Sequence, residues 1–173
     1  MISSYSTVTA RWQGNDLLIT PTNVPRWDLE VGDIVQIKDG KREPGKIPSR
    51  AIWLHQEIYN RNLQINSLIF TQSPYVIAFG VTKAVFDVRT IPESLIFLPD
   101  VSSLSFGSHF QGQYEILNIL KLGNPAMIIQ NDAVLATGEK LLQTFDRLEV
   151  AEFNAKSLVM SASIGELKPI INK

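Results

Sequence analysis

Few residues in this chain have the chemistry to move protons or hold an anion, and they gather at turns. Residues 68–80, "LIFTQSPYVIAFG", carry an apolar strand-like run through Thr71-Gln72-Ser73-Pro74 into a second apolar run. A serine before proline is a strong helix start, because the hydroxyl can cap free N–H groups and proline lacks the donor that would be wasted. The stretch therefore reads as strand, tight turn, helix. Strand ends facing a helix N-terminus are where α/β proteins place their chemistry, so Gln72 stands where a ligand or catalytic residue is expected; the preferred reading is a glutamine bonding to local backbone. Asp132, beside Asn131, reads as a residual general base or, preferred, as turn chemistry. Of the two histidines, His55 falls on the apolar stripe of a helix and reads as a satisfied, half-buried side chain. His109, in the loop "FGSHFQG", is the better proton carrier of the two, because loops carry function, yet it has no partner identifiable in sequence. Ser49 follows Pro48 and reads as a helix N-cap; the free N–H groups and dipole there favour an anion by about 0.3–1 kcal/mol, and Arg50 adds charge. No Ser-His-Asp order, P-loop or glycine-rich dinucleotide fingerprint is present.

The elements that must position these groups alternate between strand and helix. "STVTARW", "QGND" and "LLIT" form a hairpin, and "IVQIKDGK" repeats the device, with Asp39-Gly40 supplying the positive φ angles of a tight turn. Between them "PTNVPRWDLEVGD" is a loop with one helical turn at Asp28. A helix follows from Ser49 through Tyr59. Beyond the helix after Pro74, residues 82–112 are broken by prolines and serines and allow only short elements. "QYEILNILKLGNP" is a helix closed by Gly123, with Tyr114 and Glu115 as ordinary members. "AMIIQ" and "VLAT" are strands about an "ND" turn. Lys140 to about Gly165 is a long amphipathic helix carrying Leu141, Leu142, Phe145, Leu148, Ala151, Ala155, Leu158, Val159 and Ala162 on its apolar stripe. The class is α/β. Trp12, Trp27 and Trp53 read as core or subunit-contact residues.

Composition narrows the function classes. With 173 residues the expected organisation is a single domain over 1–173. Sixteen basic and 17 acidic residues, without runs of either sign, exclude partners chosen by bulk charge, so no nucleic acid or membrane surface is expected. No apolar stretch is long enough to span a bilayer, and "MISSYSTVTARWQG" lacks the pattern of a signal peptide. Zero cysteines exclude disulfides and thiolate chemistry and fit a reducing, cytoplasmic location.

Four patterns in order, "TARWQGNDLLITPTNVPRWDLEVGDIV", "PSRAIWLHQEIY", "IFTQSPYVIAFG" and "AMIIQNDAVLATGEKLLQTFDRLEVAE", resemble the class II aldolase and adducin head family and cover most of the chain. The resemblance implies three layers, α/β/α, about a central, mainly antiparallel sheet. It also implies a divalent ion held by a His-x-His pair before Ser-Pro and a third histidine after an asparagine, with a catalytic glutamate. Those positions here are Phe70, Gln72, Asp132 and Ala51, so the chemistry has been replaced: no metal, no cofactor and no family catalytic residue is expected. Zinc wants three or four nitrogen, sulfur or carboxylate donors, and these four side chains offer one carboxylate. The family's phosphate loops fall on Thr22-Asn23 and Ser49-Arg50, which keep hydroxyl and amide donors for a phosphate-bearing small molecule, and on Tyr5-Ser6-Thr7, where the usual Ser-Gly-Asn is lost. The family's usual N-terminal helices have no counterpart. The leading expectation is a non-catalytic relative with an assembly or ligand-binding role, like the adducin head. The alternatives are a sugar-phosphate or carbonyl-substrate lyase or epimerase using other residues, with His109 or Asp132 as base, and a structural subunit pairing with a full-length paralogue. A homo-oligomer, preferably a tetramer, is implied.

Overall fold

A computed structural model describes residues 5–111 and 113–171. The opening "MISS", read for a targeting signal, and Gly112 of the serine-rich loop lie outside them. Among the described residues eight strands form one sheet: β1 (Thr7–Arg11), β2 (Leu17–Ile19), β3 (Val35–Lys38), β4 (Lys41–Arg42), β5 (Ser67–Thr71), β6 (Val101–Leu104), β7 (Ala126–Ile129) and β8 (Ala133–Gly138). Their spatial order is β4-β3-β2-β1-β5-β8-β7-β6, and β6–β7 is the one parallel pair among them. The helices are α1 (Ile52–Arg61), α2 (Pro74–Gly80), α3 (Pro92–Phe97), α4 (Ser108–Gln111), α5 (Gln113–Lys121) and α6 (Leu141–Ser161).

The period-2 alternation of the central strands sorts their side chains onto two cores. Leu68, Phe70, Met127, Ile129 and Leu135 face α1 and α5, through Ile58 and Ile116 among others. Ile69, Ile128, Val134 and Ala136 face α2 and α6, through Val76, Ala151 and Ala155. Both faces are thus covered, which is the three-layer α/β/α arrangement with a mainly antiparallel sheet. At the β3–β4 turn Asp39 and Gly40 take φ of 50° and 74°, the left-handed geometry that the Asp-Gly pair supplies.

Several local expectations are corrected. The helical turn in the first long loop sits at Val31–Asp33, where Glu30 and Asp33 form a reciprocal capping box, and not at Asp28. Ser49 does not cap α1: Ala51 is the N-cap residue and makes no side-chain cap bond, while the Ser49 hydroxyl pairs with Thr7 Oγ1. Ser73 does precede α2, with Pro74 in its first turn, but its side chain makes no cap bond. Glu152 of α6 does the capping instead, its carboxylate oxygens accepting from Tyr75 N and Val76 N at 3.1 Å. His55 is wholly buried, not half-buried. The apolar stripe expected on α6 splits. Leu148, Ala151 and Ala155 are buried, whereas Leu141, Leu142, Phe145 and Val159 are exposed, and Thr144 and Asn154 take interior places. The three tryptophans are 59%, 79% and 75% exposed, so none is a core residue. Among the described residues, no helix is long and apolar enough to cross a membrane.

Candidate active site

The catalytic and anion-binding expectations converge on one cavity of about 620 Å³. It opens where β5 runs out into Thr71 and Gln72, beside the start of β8 at Asp132 and Ala133. Thr22, Asn23, Ser49, Arg50, Ala51 and Phe70 also line it, so the four replaced family positions and the four anion-binding candidates meet there, together with His109, the other candidate base, and Tyr5 and Thr7 of the altered loop.

Local sequence explains the placement. Gly107, at φ 84°, lets the chain turn from β6 into the short α4, and Ser108 Oγ donates to Ser105 O at 2.7 Å to tie that turn. His109 is thereby carried inward to 9% exposure. Asn131 adopts the left-handed φ of 59° that a short polar side chain tolerates, and its N–H donates to Gly80 O at 3.1 Å, fixing the turn that presents Asp132 against the end of α2. The result is a contact of 3.2 Å between His109 Nδ1 and Asp132 Oδ2. Nδ1 makes no aligned hydrogen bond, so the two groups are in contact and need a small rotation to bond. The His109 ring is flanked by Phe70 and Phe110, with centroids 5.4 and 3.7 Å away. Burial pushes its pKa below the ordinary histidine range, and the Asp132 carboxylate opposes that shift. The imidazole is neutral at pH 7, the form that accepts a proton.

Much of the remaining lining is polar. Thr7 and Ser49 join their hydroxyls within it. Arg50 is exposed and makes no ion pair with any described residue, so its guanidinium is free to meet an anion. Arg26 organises this wall: its guanidinium donates to Ser6 O at 2.9 Å, Val24 O at 2.8 Å and Pro21 O at 3.0 Å, tying the two loops together. Two further polar atoms in the cavity lining, Thr71 Oγ1 and Gln72 Oε1, are buried and have no partner among the described residues. A buried polar atom without a partner costs free energy, and these two sit in the strand-to-helix turn that borders the cavity. This replaces the expectation that Gln72 bonds to local backbone.

Sequence reasoning missed the His109–Asp132 contact, Thr71 and Arg26. The contact joins residues 23 positions apart through two turns, and Arg26 sits in a loop whose pattern signals only irregular backbone. Thr71 was legible, since it stands one residue before Gln72 in the same strand-to-helix turn.

The donor set does not fit the divalent ion implied by the resemblance. Among the described residues no group of three or more histidines, cysteines and carboxylates could hold a metal; His109 and Asp132 offer two donors where zinc takes three or four.

The sequence profile of the Class II Aldolase and Adducin N-terminal domain matches residues 2–159, and the chain belongs to that family. It is 29% identical over 151 residues to the L-fuculose phosphate aldolase of Methanococcus vannielii, a match covering 85% of this chain and 81% of the relative. It is 26% identical over 159 residues to the protein of the same name from Methanococcus maripaludis strain C5, covering 88% and 83%. The crystal structure of L-fuculose-1-phosphate aldolase from Thermus thermophilus superposes with a TM-score of 0.82 at 19% identity, over 98% of this chain and 90% of that one. At that identity the likeness establishes the fold. The expectation of a non-catalytic relative is overturned: the curated relatives matched along most of the chain are aldolases, and nothing among them supports a pseudoenzyme. The side chains at the four replaced positions do not stand alone in the cavity: Asp132 is in contact there with His109.

Proposed function

We propose that this protein is a lyase or epimerase acting on a sugar phosphate or related carbonyl substrate, with His109 and Asp132 as its acid–base pair. One observation carries the reading: a buried, neutral imidazole in contact with a carboxylate, in a cavity also lined by Thr7, Thr22, Ser49 and a free Arg50. The curated relatives named L-fuculose phosphate aldolase support the reaction class.

In this reading the substrate's phosphate lies against Thr22, Asn23, Ser49 and Arg50, held by hydroxyl and amide donors and one charge-assisted contact. With Nδ1 held toward Asp132, Nε2 of His109 takes the proton of the hydroxyl β to the carbonyl. The carbon–carbon bond breaks, the hydroxyl-bearing carbon leaves as an aldehyde, and the bonding electrons pass to the carbonyl oxygen as an enolate. The Thr71 hydroxyl and the Gln72 amide are the donors placed to stabilise that oxygen. His109 then returns the proton to the enolate carbon. Asp132 holds the ring and stabilises the transient imidazolium. An epimerase begins with the same cleavage and closes the bond on the other face. A cytoplasmic location, compatible with a cysteine-free chain, goes with such a substrate.

The test is a retro-aldol and epimerase screen of sugar phosphates, run with and without a chelator. The expected result is chelator-insensitive turnover that Asp132→Asn lowers by roughly 10²–10⁴. Turnover that persists in Asp132→Asn, or that a chelator abolishes, overturns the reading.

A further inference from the structure

Helix α2 joins the two turns of the cavity that carry its polar groups. Its N-terminal end follows directly on Thr71, Gln72 and Ser73. At its C-terminal end Gly80 O accepts the Asn131 N–H, the bond that fixes the turn bearing Asp132. Thr71, Gln72 and Asp132 all line the cavity. The seat at the second end is close: a Cβ added at Gly80 would lie 3.0 Å from Ile128 Cγ2, tighter than side chains normally pack. Glycine therefore lets α2 settle there without displacing β7. With seven residues, roughly 10 Å of length, α2 is too short to hold itself by helix propensity. Its placement comes from what grips it.

The grip at the first end comes from α6. Ser73 stands in the capping position without making a cap bond, and Glu152 supplies the acceptors instead. Tyr75 N donates to both of its carboxylate oxygens and Val76 N to Oε2, each at 3.1 Å. One oxygen, Oε2, thus bridges two of the N–H groups that a helix start leaves free. Lys156, one turn further along α6, lies 5.6 Å over the Tyr75 ring, and Ala151 and Ala155 share a core with Val76 and Phe79. We propose that Glu152 is a positioning residue: by anchoring one end of α2 it fixes where the other end seats the Asn131–Asp132 turn, and so sets the reach of Asp132 toward His109. Its consequence for turnover rests on the reading of His109 and Asp132 as the acid–base pair. None of the described residues lining the cavity belongs to α6, so this helix governs the geometry of the pair without touching a substrate.

Three variants test this from the two ends of α2. Glu152→Asp keeps the charge and shortens the reach, Glu152→Gln keeps the length and a carbonyl oxygen able to take the bridging place, and Gly80→Ala disturbs the seat with Glu152 intact. The readout is the His109 imidazole, whose pKa burial lowers while the Asp132 carboxylate opposes that shift. Drawing Asp132 away leaves burial unopposed, so the ring takes up its proton at lower pH. NMR titration of the two histidines gives that pH as lower by about 0.5 or more in Glu152→Asp and Gly80→Ala, and close to the wild type in Glu152→Gln. Thr9→Val, which strips a hydroxyl bonded to His55 and Tyr59, leaves His109 unmoved, because lost stability alone does not imitate the effect. In the retro-aldol assay Glu152→Asp and Gly80→Ala lower kcat about tenfold or more with KM within about twofold, since Thr22, Asn23, Ser49 and Arg50 lie after β2 and before α1. The titration needs no turnover, so a wild type inactive on every sugar phosphate overturns the reaction class while His109 still decides the positioning. An unchanged His109 titration in Glu152→Asp or in Gly80→Ala, or an equal fall in Thr9→Val, overturns the proposal.

Discussion

Around His55 the hydroxyls of Thr9 and Tyr59 and the ring Nδ1 are bonded to one another, and Nε2 alone is left without a partner among the described residues, whereas His109 stands at the edge of a cavity. His55 Nδ1 meets Thr9 Oγ1 at 2.8 Å, and the same hydroxyl meets the Tyr59 phenol at 2.8 Å. His55 is fully buried between α1 and β1, and burial alone lowers its pKa to about 3. His109 is also withdrawn from solvent, yet it stands beside a carboxylate at the edge of a cavity whose lining holds unpartnered Thr71 and Gln72 atoms. Burial by itself makes an imidazole inert; burial beside a counter-charge and an opening makes it a usable base.

Exchanging the two histidines in turn gives the largest expected effect. His109→Asn should lower kcat/KM for the retro-aldol reaction by roughly 10²–10⁴ and move the melting temperature little. His55→Asn should do the reverse, costing about 2–3 kcal/mol in urea unfolding. If His109→Asn proved the destabilising one and kept its activity, the contrast would collapse.

The pH dependence sharpens it. Between about pH 6 and 3 the unfolded chain binds a proton at residue 55 that the native protein refuses, because an imidazolium would place a second N–H in a site where Nε2 already has no partner. The native-state pKa is the lower one, so this contribution to stability is complete above about 6.5 and is lost as pH falls toward 3, at about 1.4 kcal/mol per pH unit. Urea titrations of the wild type should show this slope on top of that of the carboxylates, and His55→Asn should reduce it by that amount.

The cavity's polar lining gives a middle-sized effect. Inorganic phosphate or a sugar phosphate at 100 times its dissociation constant should raise stability by roughly 2.7 kcal/mol, read as a higher melting temperature. Arg50→Ala with Ser49→Ala should remove the gain. A melting curve unmoved by any phosphate would leave that wall as mere loop structure.

A pair of threonines supplies the smallest effect. Thr9→Val strips a hydroxyl that two buried partners use and should cost about 1–2 kcal/mol. Thr71→Val strips one that nothing among the described residues uses, so stability should hold or rise while kcat falls. Equal losses at both positions would show that the Thr71 hydroxyl is satisfied within the fold.

The sequence and the structure agree most where chemistry is local. Asp39-Gly40 announced its turn because few residue pairs accept that backbone, and the strands about Asn131-Asp132 announced themselves by continuous apolar runs bounded by turn residues. The four family-like patterns carried the layer order. The segment from Thr82 to Gly112 stayed opaque because α3, β6 and α4 are four to six residues long and owe their form to what they pack against. Ser49 misled for a related reason: a serine can cap a helix or bond elsewhere, and Thr7, 42 positions away, decided which. The positions of the site, with His109 and Asp132 as alternative bases, could be nominated from sequence, but their contact could not, because it joins two turns that only folding brings together.

The carboxylate of Glu152 completes the first turn of α2 across 77 and 76 positions of sequence. During synthesis the strand-to-helix turn at residues 71–74 therefore leaves the ribosome long before the group that secures it. Until α6 has emerged, the N–H groups of Tyr75 and Val76 have only water to bond. The nascent chain consequently cannot finish the edge of its cavity from the front half alone, and the late arrival of the C-terminal helix sets when the turn bearing Thr71 and Gln72 becomes rigid.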